Sequence, residues 1–297
     1  MRCVTAIVFA VILGTLSQPA QCAAADQWEA DVPLLDCQGM PCIDATIGNG
    51  VTGRMLIDTG DLVSVVDMSD QARIGFGPEY MKDGKVAKAA HVSAAIGAVH
   101  LADVPVVPVE LKSNIRKSQM PKSRGSLAYT AFKGRVLQLD FPHRRLRLSA
   151  PLSAPRVCTG ACATLSLITF GQKGPPIVVA DGFSIGGQSL TAQIDSLYSG
   201  GLLIYNASID KLGLSRQADT KATVLFPFTD GGVRMRTGGS AALSFAGKPV
   251  APKPPLYFPT PGVHEPDALF DGTVGLALMK RDVVTFDFYD KTFSITG

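Results

Sequence analysis

The fold is decided by a stretch that the chain contains twice, first as Gly125-Ser-Leu-Ala-Tyr-Thr-Ala-Phe-Lys-Gly-Arg-Val-Leu-Gln-Leu-Asp-Phe141 and again as Gly272-Thr-Val-Gly-Leu-Ala-Leu-Met-Lys-Arg-Asp-Val-Val-Thr-Phe-Asp-Phe288. The copies align without a gap over 17 residues, with identical glycine, lysine and valine positions and the same closing aspartate and phenylalanine. Self-similarity of this kind is typical of a duplicated structural unit. The chain is therefore predicted to consist of two related halves.

The match extends upstream to two strands that end at an aspartate. Ile43-Asp-Ala-Thr-Ile-Gly-Asn-Gly-Val-Thr-Gly-Arg-Met-Leu-Ile-Asp58 has the same pattern as Val179-Ala-Asp-Gly-Phe-Ser-Ile-Gly-Gly-Gln-Ser-Leu-Thr-Ala-Gln-Ile-Asp195. Alternating apolar residues around a glycine turn predict a β-hairpin. A second apolar run follows each aspartate. Asp58 and Asp195 are thus predicted at equivalent strand ends.

These repeats divide the chain into an N-terminal lobe at 32–152, a linker at 153–157 and a C-terminal lobe at 158–297. Strand-like runs dominate and long amphipathic helical patterns are scarce, which indicates an all-β class. The segment 248–266 holds seven prolines. Because proline cannot donate to a sheet, we predict an extended surface loop there and no central strand.

Residues 1–25 have the pattern of a secretory signal peptide. Arg2 is followed by an apolar stretch of 13 residues at 4–16, and three alanines precede Asp26. The stretch is too short to span a bilayer. We therefore predict an exported protein, periplasmic or secreted. No later segment approaches 18 uninterrupted apolar residues, so no membrane span is predicted.

Charge and cysteine content narrow the functional classes. The formal net charge is only +3, and the basic cluster at 143–147 alternates with apolar residues as a solvent-facing strand does, which argues against a nucleic-acid partner. With four histidines and no His-x-x-x-His pair, neither a catalytic metal nor an organic cofactor is predicted. An oxidising compartment favours disulfides, of which the local pairings are the simplest, and a zinc site is the alternative. The cysteines concerned are Cys37, Cys42, Cys158 and Cys162.

The stretch Leu56-Ile57-Asp58-Thr59-Gly60, with an apolar strand after it and a later Gly-x-apolar-(Gly/Ala) strand, resembles the pepsin and retropepsin families of aspartic proteases. The resemblance implies two pseudo-symmetric β-barrel lobes with a central cleft. It implies that Asp58 and Asp195 are the catalytic pair. Thr59 and Ser196 would lock the two turns across the lobe interface, and Gly60 would let the backbone approach a carboxylate.

Such a pair has a definite chemistry. Two carboxylates held close together share one proton over a wide pH range. The ionised partner then takes a proton from water while the protonated one polarises the scissile carbonyl. The sequence thus predicts an exported aspartic endopeptidase, a monomer that binds an extended polypeptide in its cleft.

Three departures from the family pattern support an alternative, a degenerate scaffold that binds peptide or protein without cleaving it. Leu197 stands where the second turn usually has glycine, and left-handed torsions would be costly there. Asp61 replaces a small or hydroxyl residue, and Ala128 replaces a glycine behind the first turn. A further option is that only one aspartate works and a second molecule supplies its partner.

Three other interpretations concern isolated motifs. Asp58-Thr59-Gly60 is also compatible with an ordinary hairpin turn, since aspartate and glycine favour turns. Gly182-Phe-Ser-Ile-Gly186 matches a hydrolase nucleophile elbow, but the residues after it predict a returning strand rather than the required helix. His91 lies in a segment, 86–96, that could form part of a flap, although an exposed strand residue is the simpler interpretation.

Overall fold

The computed structural model describes residues 28–83, 85–111, 123–150, 161–169, 176–226, 233–251, 253–261 and 269–297. The predicted signal peptide (1–25) and linker (153–157) lie outside these residues, so both remain predictions, as do the exact lobe boundaries. Strands dominate the described chain and its helices are short. The predicted all-β class is confirmed.

The described residues of the N-terminal half form twelve strands and three 3₁₀ turns, the turns at Met68–Ile74, Pro78–Tyr80 and Tyr129–Phe132. The strands are β1 (Trp28–Pro33), β2 (Leu35–Cys37), β3 (Met40–Ile47), β4 (Val51–Asp58), β5 (Ser64–Asp67), β6 (Met81–Lys82), β7 (Lys85–Val86), β8 (Ala90–Ile96), β9 (Val99–Val109), β10 (Gly125–Ala128), β11 (Val136–Asp140) and β12 (Arg145–Ser149).

The C-terminal half has twelve described strands, a 3₁₀ turn at Asn206–Ser208 and the short helices α1 (Ser215–Ala218) and α2 (Leu276–Met279). The strands are β13 (Cys162–Thr169), β14 (Pro176–Ile185), β15 (Gln188–Asp195), β16 (Leu202–Ile204), β17 (Thr223–Phe226), β18 (Val233–Ser240), β19 (Leu243–Phe245), β20 (Lys248–Ala251), β21 (Pro255–Pro259), β22 (Gly272–Gly275), β23 (Val283–Asp287) and β24 (Thr292–Thr296).

The same four-strand arrangement occurs in both halves. The strand that ends at the aspartate pairs in parallel with a later strand, β4 with β10 and β15 with β22. That later strand pairs antiparallel with the strand after the aspartate, β5 or β16, which in turn pairs in parallel with β9 or β21. In this register Asp58 lies opposite Ala128, and Asp195 opposite Gly275. The two halves are therefore pseudo-symmetric lobes, as the repeat predicts.

A shared sheet joins the two lobes. Its strand order is β1, β12, β11, β23, β24, β13, so the closing strands of the two repeat copies, β11 and β23, are antiparallel neighbours. Gln138 lies opposite Thr285, which is its own counterpart in the repeat, and its Nε2 donates to Thr285 Oγ1 at 3.2 Å. The pseudo-twofold axis consequently passes through this pair.

The prediction of a surface loop at 248–266 is wrong for its described strands. β21 lies inside the sheet between β16 and β18, and Leu256 and Phe258 are fully buried. Pro255 and Pro259 occupy the first and last positions of the strand, where a missing N–H disrupts the sheet least. The alternating Leu-Tyr-Phe core between them is a strand pattern that the proline count obscured.

In each lobe an ion pair with a buried aspartate anchors the supporting strand, which is the strand that pairs in parallel with the aspartate-bearing strand (β10 or β22). The two lobes differ in whether the base or the acid of the pair lies just before that strand. In the N-terminal lobe Arg124, just before β10, donates from Nη2 to Oδ1 of buried Asp70 at 2.7 Å. In the C-terminal lobe the positions are exchanged: the acid, Asp271, lies just before β22 and accepts from Lys211 Nζ at 2.8 Å. Both pairs tie the strand behind the aspartate-bearing turn, β10 or β22, to the segment that follows β5 or β16.

One predicted local disulfide is present, between Cys37 and Cys42, with a Cα–Cα distance of 5.9 Å. This excludes a zinc site made from all four thiolates. Cys162 is also disulfide-bonded, while Cys158 lies outside the described residues, so that pairing remains a prediction. Within the described residues, no helix has the length and apolar character needed to cross a bilayer.

Candidate active site

The two aspartates occupy equivalent places at the ends of β4 and β15. Each carboxylate accepts a hydrogen bond from the backbone N–H two residues further on. Gly60 N donates to Asp58 Oδ1 at 3.1 Å, and Leu197 N donates to Asp195 Oδ1 at 2.8 Å. Asp195 Oδ1 also accepts from Tyr198 N at 3.0 Å. These bonds hold both carboxyl groups against their own turns.

Thr59 and Ser196 connect the two turns through four hydrogen bonds. Thr59 N donates to Ser196 Oγ at 3.0 Å, and Ser196 N donates to Thr59 Oγ1 at 3.1 Å. Each hydroxyl then donates to a carbonyl of the opposite lobe, Thr59 to Ile194 at 2.9 Å and Ser196 to Ile57 at 2.6 Å. Both side chains are completely buried. The network fixes the strand that carries Asp58 relative to the strand that carries Asp195.

Gly60 lies directly against the carboxyl group of the other lobe. An ideal Cβ on Gly60 would lie 2.8 Å from Asp195 Oδ1, which is closer than a real contact allows. The Gly60 carbonyl accepts from Gln193 Nε2 at 2.8 Å, so it is held there. The backbone torsion of Gly60 is not left-handed. Glycine is therefore needed for space beside Asp195, and the two turns are in direct contact.

Burial and neighbouring negative charge raise the pKa of both carboxyls. For Asp58 the pKa is raised well above its ordinary value, first by burial, then by the charges of Asp195 and Asp61. Burial also raises the pKa of Asp195, opposed by the N–H groups of Leu197 and Tyr198 and reinforced by the charge of Asp61. Both side chains keep partial solvent exposure. The arrangement favours retention of a proton by the pair.

Leu197 fits the second turn without the strain predicted for it. Its backbone is not in the left-handed region, so that expectation is wrong. The side chain is half-buried and its N–H still reaches Asp195. The segment after the aspartate is also one residue longer in the second lobe. In the first lobe, Val66 pairs with Gly125 and follows Asp58 by eight positions. In the second, Ile204 pairs with the equivalent Gly272 and follows Asp195 by nine. The extra length changes how the turn meets the strand behind it.

The supporting strands β10 and β22 donate backbone hydrogen bonds to the segments after the aspartates, and the acceptors differ between the two lobes. In the N-terminal lobe Ala128 N donates to the hydroxyl of Ser64 at 3.0 Å. In the C-terminal lobe Gly275 N donates to the backbone carbonyl of Gly201 at 2.8 Å. The longer turn thus supplies a carbonyl where the shorter one uses a side chain. Ala128 is fully buried without displacing the parallel pairing of β10 with β4.

Tyr198 is a site residue that the sequence analysis missed. Its N–H donates to Asp195, its carbonyl accepts from Leu276 N at 2.7 Å, and its ring is buried. A Cβ on Gly200 would lie 2.5 Å from the Tyr198 hydroxyl oxygen, and a Cβ on Gly275 would also meet this residue. The ring therefore occupies a slot that two glycines keep open. The Gly200-Gly201 pair after a tyrosine was the available sequence signal.

The other motifs form no second site. Ser184 lies in β14 opposite Ser189 of β15, so the hairpin interpretation is confirmed and no helix follows the motif. His91 is an exposed residue of β8, with Nδ1 2.8 Å from Asp103 Oδ1, which confirms the simpler interpretation; that 86–96 forms part of a flap stays a prediction. A separate hairpin, β6–β7, stands apart from the larger sheets. No described group of acidic, cysteine or histidine side chains could hold a metal ion.

Of the comparisons with known proteins, the one with solved structures gives matches. No protein-family model matches the chain, and no curated protein matches it in sequence. Among solved structures it is similar to the aspartic proteinase from Irpex lacteus, with 11% identity, coverage of 90% of this chain and 96% of that chain, and a TM-score of 0.46. At that distance, activity has to be argued from the residues of this chain. Its own strand topology defines an all-β protein of two pseudo-symmetric lobes.

Proposed function

We propose that the protein is an exported aspartic endopeptidase whose catalytic residues are Asp58 and Asp195. The observation that carries the proposal is the crossed hydrogen-bond network of Thr59 and Ser196. It joins two turns that each present a carboxyl, and Gly60 brings one turn against the acid of the other. Like-charged acids enclosed in this way form a general acid and a general base of different proton affinity.

The two acids would divide the work. Asp58 experiences burial and two neighbouring negative charges, so it is the better candidate to keep the proton and to donate it to the scissile carbonyl. Asp195 accepts two backbone N–H bonds, which stabilise its ionised form. It would take a proton from the attacking water. The water oxygen then adds to the carbonyl carbon. The C–N bond breaks as Asp195 passes the proton that it took from water to the leaving nitrogen, and Asp58 takes its proton back from the hydroxyl as the new carboxyl group forms.

The substrate would be an extended polypeptide lying in the cleft between the lobes, with no cofactor. The β6–β7 hairpin, with exposed Met81 and Val86, is suited to cover one side of such a chain. The chain would act as a monomer, because both acids and both locking hydroxyls belong to one molecule. Export follows from the predicted signal peptide and is compatible with the Cys37–Cys42 disulfide.

Digestion of casein and of a peptide library between pH 3 and pH 7 tests the proposal. The wild type is expected to cleave, and Asp58→Asn or Asp195→Asn is expected to lose at least about 100-fold in rate. Asp103→Asn is a matched control, since Asp103 is an exposed acid of the same lobe that contacts His91. Full activity in either dyad variant would reject the assignment. A mass measurement on the active species distinguishes a monomer from a pair of molecules that share acids.

The second candidate function is peptide or protein binding without cleavage. Leu197 is the observation in its favour, because a half-buried isobutyl group stands where the family has glycine beside the dyad. Peptide binding by the wild type with no turnover anywhere between pH 3 and pH 7 would establish this function.

A further inference from the structure

Asp61 is held beside the two candidate catalytic acids, yet its side chain is exposed. It is the third residue after Asp58, and its backbone N–H donates to the Asp58 carboxyl. Its carbonyl accepts from Tyr129 N at 3.3 Å, and its own Oδ1 accepts from Leu62 N at 2.7 Å. The backbone is thus fixed on both sides. The carboxylate itself is exposed to solvent.

The residue at the position of Asp61 differs between the two lobes. Its counterpart in the C-terminal lobe is Tyr198, which donates to Asp195 and accepts from Leu276 in the same way. The Tyr198 ring is buried, whereas the Asp61 side chain faces solvent. One side of the cleft therefore presents a carboxylate next to the dyad and the other side does not.

Among the residues that the structure describes, no cationic side chain forms an ion pair with the Asp61 carboxylate. The ion pairs within the described ranges involve Asp31, Asp70, Asp103, Asp140, Asp271 and Glu29, and none of them involves Asp58, Asp61 or Asp195. The charge of Asp61 raises the pKa of Asp58, Asp195 and Tyr129, all of them acids. A cationic group entering the cleft would meet a complementary charge there.

Resting on the proposed function, we propose that Asp61 makes the cleft select polypeptides with a lysine or arginine side chain next to the scissile bond. The ammonium or guanidinium group would pair with the Asp61 carboxylate. The methylene stem would lie along half-buried Leu62, as long cationic side chains commonly do on apolar surface. Asp61 would act on substrate choice, whereas Asp58 and Asp195 carry out the reaction.

Two peptides that differ only by lysine and norleucine beside the cleaved bond isolate the charge, because norleucine keeps the stem and lacks the ammonium group. The wild type is expected to prefer the lysine peptide by about 3- to 10-fold in kcat/KM at low salt. Asp61→Asn should bring this ratio close to one, whereas Asp103→Asn should leave it unchanged. The preference should also weaken as ionic strength rises, which a purely structural role for Asp61 would not cause.

Binding of the same peptides to Asp58→Asn separates the inference from the proposed function. Equal cleavage of both peptides by the wild type overturns the inference and leaves the endopeptidase proposal standing. Preferential binding of the lysine peptide that depends on Asp61, without cleavage by the wild type, supports the inference and rejects the endopeptidase proposal. If neither peptide binds or is cleaved, both are rejected.

Discussion

Thr59 and Ser196 exchange backbone-to-hydroxyl hydrogen bonds across the lobe boundary, at 3.0 and 3.1 Å, and both are fully buried. Each is the residue directly after a strand-end aspartate. The exchange is only possible when the two turns are close together in a pseudo-symmetric arrangement. The relative position of the two carboxyl groups therefore depends on these hydroxyls.

Replacing the Thr59 hydroxyl should affect stability and activity together. Thr59→Ala removes the donor to the Ile194 carbonyl and the acceptor for Ser196 N, which leaves buried polar groups without partners. The expected cost is about 1–3 kcal/mol in unfolding free energy, measured by urea titration. Thr59→Ser keeps the hydroxyl and should recover most of the loss. Equal stability of Thr59→Ala and wild type would contradict this role.

Adding a single methyl group at Gly60 should abolish activity. The Cβ of Gly60→Ala would overlap the Asp195 carboxyl, and either the turn or the acid has to move. We expect a loss of at least about 100-fold in kcat, since misplacement by about 1 Å has effects of that size. Gly239→Ala is the control, because its Cβ would meet only the flexible side chain of Gln217 at 3.3 Å. A wild-type kcat in Gly60→Ala would show that Gly60 and the Asp195 carboxyl are further apart than the structure has them.

The dyad should lower stability at neutral pH. The folded-state pKa of Asp58 lies above its ordinary value of 3.8, so the folded state binds its proton more tightly than the unfolded chain. Stability is then fully present below the unfolded pKa and is lost as pH rises through the folded pKa. Asp58→Asn should be more stable than wild type at pH 7, with little difference at pH 3. Urea titrations at pH 3 and pH 7 measure the unfolding free energies. Asp58→Asn less stable than the wild type at pH 7 would refute the raised pKa of Asp58.

Asp61 should set the upper pH limit of activity. Its charge raises the pKa of both Asp58 and Asp195, so Asp61→Asn should lower both pKa values. The shared proton would then be lost at lower pH, and the alkaline limb of the kcat profile should move to lower pH. Asp103→Asn should leave the limb in place. If the alkaline limb of the kcat profile stays at the same pH in Asp61→Asn, the Asp61 charge does not affect the pKa of the two acids.

The two-lobed organisation and the strands next to the aspartates could be predicted from the repeat, because a duplicated pattern of alternating residues marks those strands locally. Both aspartates fall at the predicted strand ends for the same reason. The order of the strands in the sheets could not be predicted, because it depends on pairings between distant segments. β21 was missed, since a count of prolines does not reveal that they flank a strand. The packing of Leu197 and Tyr198 could not be predicted either. It depends on one extra residue in the turn and on the slot between Gly200 and Gly275, which only three-dimensional contacts show.

The roles of Asp58 and Asp195 rest on one shared proton, and neutron diffraction near pH 5 measures it most directly. The account predicts one deuteron between carboxyl oxygens about 3 Å apart, both facing the cleft. Carboxyl groups more than about 8 Å apart, or two fully ionised acids with no deuteron between them, would contradict it.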